Sequence, residues 1–259
     1  MDGRINVSTA NIYADATYRS EVVSQGLLGE SLHIVETKDD FAFVTLSDTY
    51  QGWISRHQWV PARKSTGRTL RVRSHFMSIY GQDSIRSEQV RDAVLGSILC
   101  INEEKEGWFL VELPDGQKGW CETKHFTAFN IKSRREICDF AHEFLGYPYF
   151  WGGRSPKGFD CSGFTQTVFG LSGVALPRDS WQQHRDGRFL SDNHSQAQPG
   201  DLYFFSEQGN KITHVGMALG NDHIIHARGR VRINSLKSGA DDFDPQLLDT
   251  FVDVRGYLE

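Results

Sequence analysis

The sequence predicts an α+β domain preceded by two small all-β units. Three observations carry that reading. The first half repeats itself at a constant offset and consists of short alternating runs broken by turns. Beyond residue 131, two capped helical patterns appear one after the other. Strand patterns follow them and include a hairpin, so the second sheet is expected to be antiparallel and segregated from its helices.

Composition sets the bounds. A chain of 259 residues with 39% hydrophobic and 24% charged residues fits a soluble globular protein of one or more domains. A net charge of −5 provides no basic field, so neither nucleic acid nor a membrane surface is expected as a partner. No apolar run approaches the length of a membrane span. The start, Met1-Asp2-Gly3-Arg4-Ile5-Asn6, lacks the basic head and apolar core of an export signal. A cytoplasmic location is therefore expected, with the periplasm or secretion as the alternative if the N-terminus is trimmed. Cys100, Cys121, Cys138 and Cys161 form no C-x-x-C spacing and no disulfide framework. The first three lie in apolar surroundings and read as core fillers.

The repeat is the clearest feature of the first half. Arg19-Ser20-Glu21 returns as Arg86-Ser87-Glu88, an offset of 67 residues (from 19 to 86). The same offset carries Tyr13 to Tyr80, Val23 to Val90, Leu28-Gly29 to Leu95-Gly96 and Phe41 to Trp108. It continues through Val44 and Val111, Leu46 and Leu113, Asp48 and Asp115, and Gly52-Trp53 and Gly119-Trp120. Two copies of one module follow. Short alternating runs such as Ala42-Phe43-Val44 suit small antiparallel barrels, over residues 1–64 and 65–130. The aromatic residues Tyr13, Trp53, Trp59, Tyr80, Trp108 and Trp120 read as core before they read as a ligand platform.

A third unit, residues 131–259, opens on Ser133-Arg134-Arg135-Glu136, a capping-box pattern. Ile137, Phe140, Ala141, Phe144 and Leu145 follow at helical spacing, with Gly146 as the stop and Pro148 beyond it. Tyr149 to Gly163 then reads Y-F-W-G-G-R-S-P-K-G-F-D-C-S-G. Asp160 is placed to cap a helix whose apolar stripe is Phe164, Val168 and Leu171. Leu176-Pro177-Arg178-Asp179-Ser180 is a loop entering a further short helix, and Arg178-Asp179 reads by default as a structural ion pair. Leu202–Phe205, His214–Leu219 and His223–Ala227 read as strands, the last two joined around Gly220-Asn221-Asp222.

Cys161 is the chemically pointed residue of this unit. A thiol at a helix N-terminus meets unpaired N–H groups and the helix dipole, which lower its pKa and supply thiolate. The alternative is a small buried cysteine on a packing helix. A thiol nucleophile needs a base and a third group to orient that base. His214 and His226 lie on opposite arms of the hairpin. A loop with an odd number of residues sets both on one sheet face, whereas a two-residue loop sets them on opposite faces. Zinc on Cys161, His214 and His226 is the lesser reading, because Asp-Cys-Ser offers no second ligand at the usual spacing. Neither a metal nor a cofactor is expected.

The stretches P-Y-F-W-G-G, F-D-C-S-G-F, P-G-D-L-Y-F-F, H-V-G-M-A-L-G and I-I-H-A, in that order, resemble the NlpC/p60 family of cell-wall cysteine peptidases over residues 131–259. The repeats, with a Gly-Trp strand after a turn, resemble bacterial SH3-like domains over about residues 5–130. The resemblance implies a papain-like α+β catalytic domain behind two SH3-like barrels. It implies hydrolysis of peptidoglycan stem peptides or muropeptides between D-γ-glutamate and a diamino acid, diaminopimelate or lysine. Cys161, His214 and His226 match the family triad, and Tyr149 the tyrosine that assists the oxyanion hole. Tandem SH3-like modules resemble the muropeptide-trimming branch, whose members accept a free N-terminal L-alanine. Asp160, Ser162, Asp179 and Ser180 match its substrate-contacting positions. The short join at 126–130 is expected to dock the first barrel against the site. An amidase or acyltransferase on the same scaffold stays open, as does a wall-binding protein with a vestigial catalytic domain.

Overall fold

A computed structural model describes residues 1–126, 131–207, 209 and 211–258. The join expected to be docked, residues 127–130, lies outside the described residues. Two compact units are present, Met1–Phe129 and Asn130–Glu259.

The first unit is all β. Strands β1 (Asp2–Ile5), β2 (Thr9–Tyr13), β3 (Val22–Leu27), β4 (Ser31–Lys38), β5 (Phe41–Leu46), β6 (Gln51–Ser55) and β7 (Trp59–Pro61) make one antiparallel sheet in the order β3-β2-β6-β5-β4-β1-β7. Strands β8 (Arg68–Arg71), β9 (Phe76–Tyr80), β10 (Gln89–Val94), β11 (Ile98–Lys105), β12 (Trp108–Glu112) and β13 (Lys118–Glu122) make a second, ordered β10-β9-β13-β12-β11-β8. Period-two alternation drives both sheets: Ala10 and Ile12 point inward from β2, as Met77 and Ile79 do from β9.

Hydrogen bonds outside the ladders repeat at the sequence offset. Ala14 N donates to Glu21 O at 2.9 Å, and Gly81 N to Glu88 O at 2.9 Å. Leu46 N donates to Tyr50 O, and Leu113 N to Gln117 O, both at 2.8 Å. Closed barrels are the sequence expectation, yet among the described residues both strand orders run open. The physical reason lies at the seam. Where β3 should pair with β1, turn backbone takes over, with Gly29 N to Ile5 O at 2.9 Å and Ile5 N to Glu30 O at 3.0 Å. The second copy repeats this with Gly96 N to Val72 O at 2.9 Å and Val72 N to Ser97 O at 2.8 Å.

The two sheets share residues. Leu28, from the first copy, packs in the core of the second with Val72, Ile79, Leu99 and Val111. Its carbonyl accepts from Ile98 N at 2.8 Å. Gly29 (φ +82°) passes so close that a Cβ would lie 1.8 Å from Ile98 O, which restricts this position to glycine. Asp115 accepts from Asn6 Nδ2 of the first copy at 3.1 Å and from Arg91 Nη2 of its own copy at 2.9 Å.

The second unit is α+β. Helix α1 (Arg134–His142) starts on Ser133, whose Oγ accepts from Glu136 N at 3.2 Å. It ends earlier than the Phe144-Leu145 spacing suggests. Turns carry the chain to Gly146 (φ +85°), and Leu145 is left 44% exposed while Phe144 is buried. A short ribbon, β14 (Arg154–Ser155) with β15 (Gly158–Phe159), precedes α2 (Cys161–Leu171), which is followed by α3 (Ser180–Asp186). The main sheet contains β16 (Arg188–Ser191), β17 (Leu202–Phe205), β18 (His214–Gly220), β19 (His223–Arg228), β20 (Arg230–Ser235) and β21 (Phe251–Gly256). Its order is β16-β21-β17-β18-β19-β20, antiparallel throughout, and α4 (Pro245–Thr250) leads into the last strand. Helix α2 packs on β18 and β19 and is buried from Cys161 to Gln166. Phe144, Phe159 and Phe164 meet edge to face behind it.

Candidate active site

Asp160 caps α2 as its sequence position predicts. Its Oδ1 accepts from Gly163 N at 2.6 Å, and its Oδ2 from Gly152 N at 2.9 Å. This fixes the Gly-Gly turn onto the helix start. Arg178 then grips the same carboxylate with both nitrogens, Nη2 at 2.5 Å and Nη1 at 3.1 Å. Nη1 also reaches Ser162 Oγ at 3.0 Å, and Arg178 is 2% exposed. A fork-shaped guanidinium on a buried carboxylate is a strong, directional contact. The sequence treats Arg178 as a partner for neighbouring Asp179; the fold carries it across to the cap of another helix. Asp179 is half-buried at the start of α3, where its N–H donates to Gln182 Oε1 at 3.1 Å. Ser180 is buried beside it.

The hairpin corrects one expectation and rescues its consequence. The turn has two residues, Asn221 and Asp222, both with positive φ (51° and 63°), and Gly220 faces His223. Taken alone, that turn puts the two histidines on opposite faces. The register slips between Ala218 and Gly220, so Leu219 is an extra, bulged residue and the parity returns. Met217 pairs with Ile225, and the register continues to bring Gly216 opposite His226. A Cβ at Gly216 would meet His226 Cβ at 2.8 Å, which explains glycine in His-Val-Gly. His214 Nε2 lies 2.8 Å from His226 Nδ1, with the rings at 80°.

Sequence reasoning missed the next residue. His226 Nε2 lies 3.1 Å from Asn234 Oδ1, and Asn234 Nδ2 donates to Asp242 O at 3.0 Å. Asn234 is 4% exposed. A polar residue alternating with the apolar positions of β20 was its only signal. Gln183, fully buried, was missed as well: its Nε2 donates to Ser162 O at 3.0 Å and to Pro177 O at 2.8 Å.

The electrostatics overturn the expectation of a depressed thiol pKa. Burial, with Asp160 adding to it, pushes the Cys161 thiol up to about 12. Hydrogen bonds from the Val215 and Ser162 N–H groups and the charge of Arg178 oppose the rise without cancelling it. Burial, then His226 and Arg228, holds His214 well below the ordinary imidazole value. Burial first takes His226 down to about 4. Burial first, with the charge of Asp160 adding to it, raises the Tyr149 phenol, which stays a hydrogen-bond donor. Among the described residues, no three His, Cys, Asp or Glu side chains are grouped as a metal site. Cys100, Cys121 and Cys138 are buried and free.

Residues 146–242 match the NlpC/P60 family, and residues 12–58 match the bacterial dipeptidyl-peptidase Sh3 domain. A gamma-D-glutamyl-L-lysine dipeptidyl-peptidase of Bacillus cereus is 28% identical over 93% of this chain and 77% of its own. Dipeptidyl-peptidase 6 of Lysinibacillus sphaericus is 28% identical over 91% of this chain and 92% of its own. A crystal structure of an NlpC/P60 family protein from Bacillus cereus superposes with a TM-score of 0.86 at 25% identity, over the full length of both chains. The chain thus carries an NlpC/P60 domain, a cysteine peptidase, together with a bacterial SH3 domain, and is homologous to gamma-D-glutamyl-L-lysine dipeptidyl-peptidases.

Proposed function

We propose that the protein hydrolyses the γ-D-glutamyl–diamino acid bond of peptidoglycan stem peptides, taking short peptides with a free N-terminal L-alanine. The observation that carries this is the 2.8 Å His214–His226 hydrogen bond on the strands packed against the Cys161 helix. Cys161 attacks the γ-carbonyl carbon as His214 removes the thiol proton. Tyr149 O–H and backbone N–H donate to the oxyanion. The tetrahedral intermediate collapses, the diamino acid leaves with the proton held by His214, and a thioester remains. Water, deprotonated by His214, then releases the acid and the free thiol. His226 holds His214 in place throughout.

Asp160, Ser162, Asp179 and Ser180 are assigned to the substrate's amine end. Asp160 is paired with Arg178, and the half-buried Asp179 adds a second carboxylate at the start of α3. The B. cereus relative's name supports lysine as the diamino acid. The recurring hydrogen bonds of the second sheet support reading it, too, as an SH3-like module. The test is mass spectrometry after incubation with L-Ala-γ-D-Glu-L-Lys and its diaminopimelate counterpart, free and N-acetylated. Release of L-Ala-D-Glu from the free forms is expected. Equal cleavage of acetylated peptide would remove the free-amine requirement, and acyl transfer without hydrolysis would favour the acyltransferase reading.

A further inference from the structure

The hydrogen-bond chain behind His214 ends on a group with one possible role, and that fixes every proton along it. The Asp242 carbonyl can only accept, so the Asn234 atom 3.0 Å from it is the amide nitrogen. Asn234 therefore turns its carbonyl oxygen toward His226 Nε2, 3.1 Å away. An amide oxygen also only accepts, so Nε2 bears the proton and a neutral His226 keeps Nδ1 bare. Nδ1 in turn accepts from His214 Nε2 at 2.8 Å. The unprotonated nitrogen of His214 is then Nδ1.

We propose that Asn234 is a positioning residue for the reaction: by holding His226 as its Nε2–H tautomer, it makes Nδ1 of His214 the basic nitrogen. The inference rests on the peptidase reading for its catalytic meaning, although the tautomers themselves do not. Burial makes the device effective. His226 is 0% exposed and Asn234 4%, so bulk water does not compete for Nε2. The amide is held in turn by a backbone carbonyl rather than by a side chain free to rotate. Burial drives both imidazoles toward the neutral form, and the Asn234 hydrogen bond opposes this at His226 without reversing it. Arg228, Arg232 and Asp244 are the charged groups acting on His226, and Arg228 acts on His214 as well.

The experiment uses the full chain with ¹⁵N-labelled histidine and long-range ¹H–¹⁵N spectra of the imidazoles, together with steady-state kinetics of Asn234→Ala and Asn234→Asp. In the unmodified protein, His226 should give the protonated-Nε2, bare-Nδ1 pattern, and His214 likewise. Asn234→Ala should mix the His226 tautomers and lower kcat about 10- to 100-fold with KM within about twofold, as expected for losing a group that orients a catalytic base. Asn234→Asp keeps an acceptor, so it should retain the tautomer and most of kcat while moving the acid limb of kcat/KM to higher pH. An Nδ1–H tautomer of His226 in the unmodified protein overturns the proposal. So does Asn234→Ala with unchanged tautomer signals and unchanged kcat. If Asn234→Ala does not fold, the unmodified spectrum and Asn234→Asp decide. The expected tautomers in a protein that cleaves no peptide would sink the peptidase reading and leave the assignment standing.

Discussion

Both units bury polar side chains, but for different ends. In the repeat unit, Glu30 Oε2 accepts from Leu27 N at 2.9 Å, and 67 residues on, Ser97 Oγ accepts from Val94 N at 3.2 Å. A carboxylate and a hydroxyl perform one local task, closing the same turn three residues back. In the catalytic unit, the partners are distant in the chain: Arg178 with Asp160, Gln183 with Ser162 and Thr165, His226 with Asn234. Turn-capping groups are exchangeable because any acceptor at the right height serves. The groups around Cys161 are fixed by partner and by charge, so each substitution there leaves something buried and unmatched.

The largest separation between the units should appear in turnover. Cys161→Ala and His214→Ala should each lower kcat about 10⁴-fold or more, the scale for removing a nucleophile or its base. Cys100→Ala, in the repeat unit, should leave kcat within about twofold and cost about 1–2 kcal/mol of stability through lost packing. Peptide release followed by mass spectrometry, with circular dichroism as the check on folding, reads both. Comparable turnover in His214→Ala would show the base to be another group.

Ion pairs should separate the units next. Arg178 and Asp160 have side chains 1% and 11% exposed, whereas Arg91 and Asp115 are 20% and 29% exposed. Arg178→Met strands a buried carboxylate and should cost about 3–5 kcal/mol. Arg91→Met leaves Asp115 near water and should cost about 1 kcal/mol or less. Urea unfolding of the full chain measures both, and equal losses would mean that Asp160 is relieved by water.

The buried histidine adds a pH dependence of nearly the same size. His226 has its folded pKa near 4, against 6.5 unperturbed. Between those values the unfolded chain binds a proton that the folded chain refuses. Stability is then fully present above pH 6.5 and is lost as pH falls toward 4, by about 3 kcal/mol in all. Replacing His226 with glutamine should flatten that part of the curve for the catalytic unit. An unchanged slope would assign the effect to carboxylates. At the thiol the same burial predicts an absence. The far-ultraviolet difference between the unmodified protein and Cys161→Ala should lack thiolate absorbance at neutral pH, since the thiol is pushed up to about 12. A constant thiolate band down to acid pH would mean a preformed ion pair instead.

Much of this was legible from residues alone. Ser133 with Glu136 and Asp160 before Cys161 mark helix starts by local chemistry, and both cap as their spacing requires. The repeat offset reappears in the turn hydrogen bonds of the two copies, Ala14 to Glu21 and Gly81 to Glu88, while the open seam of each sheet departs from the closed barrel the strand pattern suggests. What stayed hidden depends on register. No local pattern announces the bulge at Leu219, yet without it His214 and His226 would face apart. Arg178 and Asn234 find their partners through the packing of separate elements, and the thiol's pKa follows from burial that a helix cap does not reveal.

The smallest expected effect tests the exchangeability of turn caps directly. Glu30 and Ser97 occupy matching positions, and each accepts from the backbone N–H three residues earlier. Glu30→Ser therefore transplants the second copy's solution into the first. The hydroxyl is shorter, but the 3.2 Å bond of Ser97 shows that a serine at this height reaches the amide. What is lost is one charge-assisted bond replaced by a neutral one, a net difference of about 1 kcal/mol or less. Glu30→Ala, which leaves the Leu27 N–H without that acceptor in a buried turn, should cost about 1–3 kcal/mol. Measured together by urea unfolding, the serine variant should lie closer to the unmodified protein than to the alanine variant. Serine as costly as alanine would mean that the carboxylate is held for its charge. The repeat unit would then be as exacting about its buried groups as the unit around Cys161.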